Sequence, residues 1–251
     1  MNAVTLSTRE LSVRFGGHRA VDNVSCDFFA GTLTAIVGPN GAGKTTYFNL
    51  ISGQIAASAG QVLLAGRDLS HRSAAARARL GLGRAFQLTN LFPNLSVHEN
   101  VRLALQAKAR SGLDLWSIWS DHHELIEQAE AILERIALRD RRDSMASSLS
   151  HGDQRKLEVG ILLAMDPLVF MFDEPTAGMS VDEAPVILQL IQQIKQDASK
   201  TILLVEHKMD VVRELSDRII VLHNGRLVAD GEPEQVIASP IVQQAYLGKA
   251  A

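Results

Sequence analysis

Apolar residues along this chain fall into short runs separated by turn residues and by stretches with helical spacing. Runs rich in β-branched and aromatic residues at Leu11–Phe15, Val24–Phe29, Leu33–Val37, Gln61–Leu64, Leu168–Phe172, Thr201–Val205 and Ile219–His223 predict strands. Leu33–Val37 and Val169–Phe172 are apolar without alternation, the pattern of strands covered on both faces. Between many of these runs the spacing changes to that of helices. Val186, Ile187, Leu190, Ile191 and Ile194 fall on one helix face, and Thr45–Ser52 and Lys156–Met165 also read as helical. Strands alternating with helices predict a largely parallel sheet with helices on both sides. From about Gln87 to Ala164 the strand pattern stops. Val97–Ala109 and Leu125–Ile136 read as helices there, separated by Ser111-Gly112 and by Trp116-Ser117-Ile118-Trp119. The expected organisation is an α/β core from residues 1–86 and 166–251, with a helical subdomain inserted at 87–165. Trp116 and Trp119 are expected to close the small helical core, with a contact to a partner or membrane as the alternative.

Length and composition narrow this picture. The 251 residues suit one large α/β domain, and 46% hydrophobic content fills a sizeable core. Lys plus Arg number 25 against 28 Asp plus Glu, a net charge of −3, which speaks against a nucleic-acid binder. Cys26 is the only cysteine, so no intrachain disulfide forms, and its apolar flanks Val24, Phe28 and Phe29 place it in a strand as a small apolar residue. The first residues lack a basic region followed by an apolar run, and no segment reaches the roughly 18 consecutive apolar residues of a membrane span. These features lead to the expectation of a cytosolic protein.

Chemistry enters at Gly38-Pro39-Asn40-Gly41-Ala42-Gly43-Lys44-Thr45-Thr46, which fits the phosphate-binding loop G-x-x-x-x-G-K-[ST]. A predicted buried strand precedes it and a predicted helix follows it, the context that the motif requires. The glycines let the backbone curl so that successive N–H groups face one anion, and the helix N-terminus adds its positive end. Lys44 supplies a mobile charge for the β- and γ-phosphates, and Thr45 a hydroxyl for Mg²⁺. The competing reading is a glycine-rich turn that binds nothing. The run Val169–Phe172 leads into Asp173-Glu174-Pro175, which puts two carboxylates at the carboxyl edge of a sheet, where α/β proteins bind ligands. Beside a phosphate loop, the first acid suits the metal and the second can orient or deprotonate an attacking water. Alone, the same pair is an ordinary solvated strand exit. Leu149-Ser150-His151-Gly152-Asp153-Gln154-Arg155 opens a helix with Ser150 placed as its N-cap, either as a plain cap or as an anion site. Phe86-Gln87 ends another apolar run, and Val205-Glu206-His207 ends the strand that follows the acid pair.

The phosphate loop, Gln87, the Leu149–Gln154 signature, Phe172-Asp173-Glu174-Pro175 and His207, in this order, resemble the ATP-binding cassette (ABC) ATPases over nearly the whole chain. More narrowly, Gln87–Pro93, the insertion with Trp116 and Trp119, Glu174–Met179, Val205–His207 and the tail Ala245-Tyr246-Leu247-Gly248 resemble the longer ATPase of bacterial branched-chain amino acid importers. The resemblance implies a P-loop NTPase (RecA-like) core with a mixed or parallel sheet, an N-terminal antiparallel β region and an inserted helical signature subdomain. It implies that Phe15 stacks on adenine and that Gly38 through Thr46 hold the phosphates of ATP. Gln87 touches Mg²⁺ and the attacking water, Asp173 anchors Mg²⁺, Glu174 is the general base and His207 contacts the γ-phosphate. The signature residues Ser150, His151, Gly152 and Asp153 face the nucleotide of a second cassette, so each site is shared by two chains. The implied partners are that second ATPase subunit, membrane permease subunits and, indirectly, a periplasmic binding protein, with the chain on the inner face of the bacterial plasma membrane. Transport of urea or short amides, lipopolysaccharide export, and a soluble cassette ATPase are the alternatives. Three positions depart from the family pattern. His151 stands at the first signature glycine, Ser180 stands at an interface Asp that Asp182 does not evidently replace, and Lys208 stands where an acid is common.

Overall fold

The computed structural model describes residues 3–85, 91–109, 123–180, 182–240 and 242–243. It forms two compact units: Met1–Arg84, Leu168–Glu174 and Ile194–Ala251 in the first, Ala85–Pro167 and Pro175–Gln193 in the second.

The first unit holds two sheets. One is antiparallel, with the order β2-β1-β4-β5, from β1 (Val4–Phe15), β2 (His18–Phe29), β4 (Ala59–Leu64) and β5 (Arg67–Asp68). This is the expected N-terminal antiparallel region. β1 and β2 start earlier than the apolar runs predict. Ser7 and Thr8 are buried although polar, and the Thr8 hydroxyl bonds Tyr47 Oη at 2.7 Å, which meets its need inside the core. Glu10 sits in the left-handed region at φ 49° and the register shifts between Thr8 and Leu11, so inward and outward positions exchange within the strand.

The other sheet has the order β10-β9-β3-β8-β7-β6, from β3 (Thr32–Val37), β6 (Leu82–Ala85), β7 (Val169–Asp173), β8 (Thr201–Val205), β9 (Arg218–His223) and β10 (Arg226–Gly231). β9, β3, β8 and β7 run parallel, and β10 lies antiparallel on β9. Every residue of β7 and β8 is buried, as the apolar runs Val169–Phe172 and Ile202–Val205 within them require. Register brings three strand ends level: Asp173 pairs with Val205 and Val205 with Ile36. The segments that follow β3, β7 and β8 therefore leave the sheet at one edge, at the carboxyl ends of the strands. Helix α1 (Lys44–Ser52) follows β3 and packs Tyr47, Phe48, Leu50 and Ile51 into the core shared with the antiparallel sheet. Helices α2 (Ala74–Arg79), α7 (Met209–Leu215) and α8 (Pro233–Ala238) complete the helices of this unit among the described residues.

The second unit is helical. α3 (Val97–Ala109), α4 (His123–Arg135) and α5 (His151–Met165) pack on one another, and Val97, Val101, Ala129, Leu133 and Leu157 on them are buried. α6 (Ala184–Lys195) begins in it. Gln87, Trp116, Trp119 and the tail from Ala245 lie outside the described residues.

Candidate nucleotide site

The loop between β3 and α1 is shaped by close backbone approaches. A Cβ on Gly38 would lie 2.1 Å from the Leu222 carbonyl oxygen, and one on Gly43 (φ 97°) 2.4 Å from that of Ala20, so only glycine fits either place. Gly43 is also the N-cap of α1 and offers no side-chain acceptor to the first turn. The N–H groups of that turn have no partner within the helix and remain for an anion. Lys44 is buried and its Nζ donates to the carbonyls of Gly38 at 2.6 Å and Pro39 at 3.1 Å. Burial draws its pKa below that of a free lysine, while Glu174 and Asp173 pull the other way. Thr45 is exposed beside it, and Phe15, at the end of β1, is 51% exposed with its ring open to stacking.

The acids lie at the adjacent strand end. Asp173, the last residue of β7, is 2% exposed. Its Oδ2 accepts a hydrogen bond from Arg84 Nη2 at 2.8 Å, while Oδ1 has no hydrogen-bond partner. Burial raises the pKa of this carboxyl, Arg84 opposes the rise, and Glu174 adds to it. A buried carboxylate oxygen without a partner, and the hydroxyl of Thr45 in the first turn of α1, are hard oxygen donors, a set of the kind that Mg²⁺ takes. Glu174 holds a left-handed backbone at φ 48°, an unusual state for a residue with a side chain, fixed by its N–H donating to the Val205 carbonyl at 2.9 Å. Its Oε1 stands 3.8 Å from His207 Nδ1, and Glu206 Oε2 stands 3.7 Å from the same nitrogen. The His207 N–H donates to Glu206 Oε2 at 3.1 Å, so a buried acid fixes the backbone at the ring. One sheet edge thus brings together the phosphate loop, Asp173, Glu174 and His207.

In the helical unit, Ser150 caps α5, its Oγ accepting from the Asp153 N–H at 3.1 Å, as the sequence predicts. The helix starts at His151, where an N-cap at Ser150 puts its first residue, ahead of the apolar periodicity of Lys156–Met165. His151 is exposed and Gly152 buried, and the Asp153 carboxylate accepts from Lys156 Nζ at 2.8 Å. A Cβ on Gly152 would fall 2.2 Å from Glu183 Oε1. The other oxygen of Glu183 accepts from the Ser180 N–H at 3.1 Å and from its hydroxyl at 3.0 Å.

Two residues that sequence reasoning passed over stand out. Arg84 was hidden inside the apolar run that ends at Phe86, yet a charge in a buried strand is itself a signal, because it demands a partner. Glu183 belongs to Ser180-x-x-Glu183 ahead of an apolar helix, a capping-box pattern.

The model of the ABC transporter family matches residues 21–177. The chain is 37% identical, over the full length of both proteins, to the high-affinity branched-chain amino acid transport ATP-binding protein LivG of Escherichia coli K12. It is 34% identical, again over both full lengths, to BraF of Pseudomonas aeruginosa, which carries the same description. Among solved structures, a nucleotide-free ATP-binding cassette from an ABC transporter superposes with a TM-score of 0.83 at 28% identity, covering 98% of this chain and 100% of that one. The ADP conformation of MJ1267, an ATP-binding cassette of an ABC transporter, gives 0.82 at 29% identity, with 98% and 100% covered. With a phosphate loop and two acids on one sheet edge, and with these likenesses running from end to end, this chain belongs to the ABC transporter family, as one of its nucleotide-binding ATPases.

Proposed function

We propose that the chain is the ATP-hydrolysing motor subunit of a membrane importer for branched-chain amino acids. The observation that carries the cargo is the end-to-end likeness to relatives described as branched-chain amino acid transport ATP-binding proteins. On this reading residues 1–86 and 166–251 form the nucleotide-binding core and 87–165 the signature subdomain. Phe15 stacks on adenine, and the loop from Gly38 through Pro39, Asn40, Gly41, Ala42 and Gly43 to Lys44, Thr45 and Thr46 wraps the phosphates of ATP. Thr45, Asp173 and Gln87 hold Mg²⁺, which offsets phosphate charge. Glu174 takes the proton of the attacking water, and His207, set between two carboxylates, faces the γ-phosphate. The exposure of the Glu174 side chain (30%) supports its access to water.

Ser150, His151, Gly152 and Asp153 act on the nucleotide held by a second cassette, the same chain or a different one. Closure of the pair drives permease subunits that dock on the signature subdomain at the inner face of the plasma membrane, with a periplasmic binding protein delivering cargo. Among the described residues no helix is long and apolar enough to cross a membrane, so on this reading the crossing belongs to those other subunits. The test is uptake of labelled leucine in cells lacking the chain. Wild type restores it and Glu174→Gln does not. Restored uptake of urea or a short amide, with none of leucine, would replace the cargo.

A further inference from the structure

Arg84 lies in no motif, yet it contacts the metal-side acid directly. It is 9% exposed in β6. Its Nη2 donates to Asp173 Oδ2 at 2.8 Å. Its Nη1 donates to Asn49 Oδ1 at 2.6 Å, Ser52 Oγ at 3.1 Å and Gln54 Oε1 at 3.3 Å. The guanidinium carbon lies 5.5 Å from the centroid of the Phe48 ring. Phe48, Asn49 and Ser52 belong to α1, the helix that opens with Lys44 and Thr45. One planar, always charged group therefore joins the phosphate-loop helix to the carboxylate that ends β7. Its donors point in fixed directions, so it sets orientation as well as charge.

The consequence at Asp173 is an inequality between its two oxygens. Oδ2 is occupied by Arg84, and Oδ1 is buried with no hydrogen-bond partner. We propose that Arg84 is a positioning residue for the divalent cation of the ATPase site: it holds Asp173 so that Oδ1 is the oxygen presented to the metal, and it keeps that oxygen in register with Thr45 on α1. The proposal rests on Asp173 being the metal-side acid. The carboxylate torsion of an aspartate is broad and roughly two-fold, so without a fixed partner either oxygen can turn toward the metal. Mg²⁺ demands near-ideal octahedral geometry, so donors on two separate elements serve it only if the elements share a fixed frame. A purely structural clasp would change melting and leave metal affinity alone.

The test uses the full chain with ADP and Mn²⁺ as the spectroscopic probe, read by electron paramagnetic resonance, alongside ADP affinity in EDTA and thermal melting. Arg84→Lys keeps the charge but cannot serve α1 and Asp173 at once. It raises the half-saturating Mn²⁺ concentration by about tenfold or more, the scale of losing a group that orients a metal ligand. ADP affinity in EDTA stays within about twofold of wild type, because the phosphate loop is untouched. Asn49→Ala and Ser52→Ala leave Arg84 in place and loosen its hold on α1. They move Mn²⁺ affinity in the same direction by less, and they carry the test if Arg84→Lys does not melt cooperatively. Asp173→Asn is the reference. If it loses Mn²⁺ binding while the folded Arg84, Asn49 and Ser52 variants all match wild type, the positioning role is overturned. If Asp173→Asn itself binds Mn²⁺ normally, the assignment of Asp173 fails, and the role of Arg84 with it.

Discussion

Lys44 is held inside the loop by two of the loop's own carbonyls, so its charge is placed before any phosphate arrives. Truncation to alanine removes that cation and leaves the helix intact. A charge-assisted hydrogen bond contributes about 1.5–3 kcal/mol. Lys44→Ala is therefore expected to weaken ATP affinity by at least about tenfold in calorimetry, with the chain still melting cooperatively. Equal affinity would contradict the phosphate-loop assignment. Cys26 gives a second check at this scale. Burial in β2 pushes its thiol pKa up to about 12, although Arg218 opposes the shift. A raised pKa means less thiolate at any working pH, and the thiolate is the reactive form. At pH 8, iodoacetamide should leave Cys26 unmodified in the folded chain and label it readily in urea. Fast labelling of the folded chain would show that the strand face is open. Lys44, Ser150, Asp173 and Glu174 stood out as candidates because each sits in a motif of residues adjacent in sequence. Arg84 did not, because its partners stand 30 to 89 positions away and only the fold brings them to it.

At the scale of elements, the N-termini of α5 and α6 are linked through one side chain. Glu183 completes the cap around Ser180 and rests against Gly152. A methyl group on Gly152 forces that carboxylate to swing away and breaks its bonds to Ser180. Losing such a cap costs about 1 kcal/mol, while alanine in place of glycine inside a helix returns up to about 1 kcal/mol. The expected result is a double-mutant cycle that does not add. Gly152→Ala is neutral or destabilising in the native chain and stabilising in a Glu183→Ala background. Additive melting shifts would mean that the two residues do not meet. Element existence was mostly legible in the sequence, because unbroken apolar runs such as β7 and β8 admit few other readings. The misses have physical causes. The first half of β1 carries Ser7, Thr8 and Arg9 and changes face at Glu10. β10 is an edge strand whose positions are half-buried or exposed, and its apolar run, Leu227-Val228-Ala229, is only three residues long and does not alternate. The first turn of α5 is polar, so its start was legible from the Ser150 cap and not from periodicity.

At the scale of the molecule, the residues of the proposed mechanism divide between two units. The phosphate loop, Asp173, Glu174 and His207 belong to one, and Ser150 through Asp153 to the other. If signature residues serve the nucleotide of a partner cassette, hydrolysis requires two chains. Specific activity then climbs with protein concentration until the pair saturates, and flat activity on dilution into the monomeric range would refute the sharing. The most direct measurement is ATP turnover by the purified chain and its Glu174→Gln variant, at one concentration and with ATP binding measured in parallel. The amide is nearly isosteric with the carboxylate but accepts no proton. Glu174→Gln should bind ATP as wild type does and turn it over at least about a hundredfold more slowly, as loss of a general base requires. Turnover at the wild-type rate would contradict the assignment of Glu174 and, with it, the account of this sheet edge as the catalytic centre.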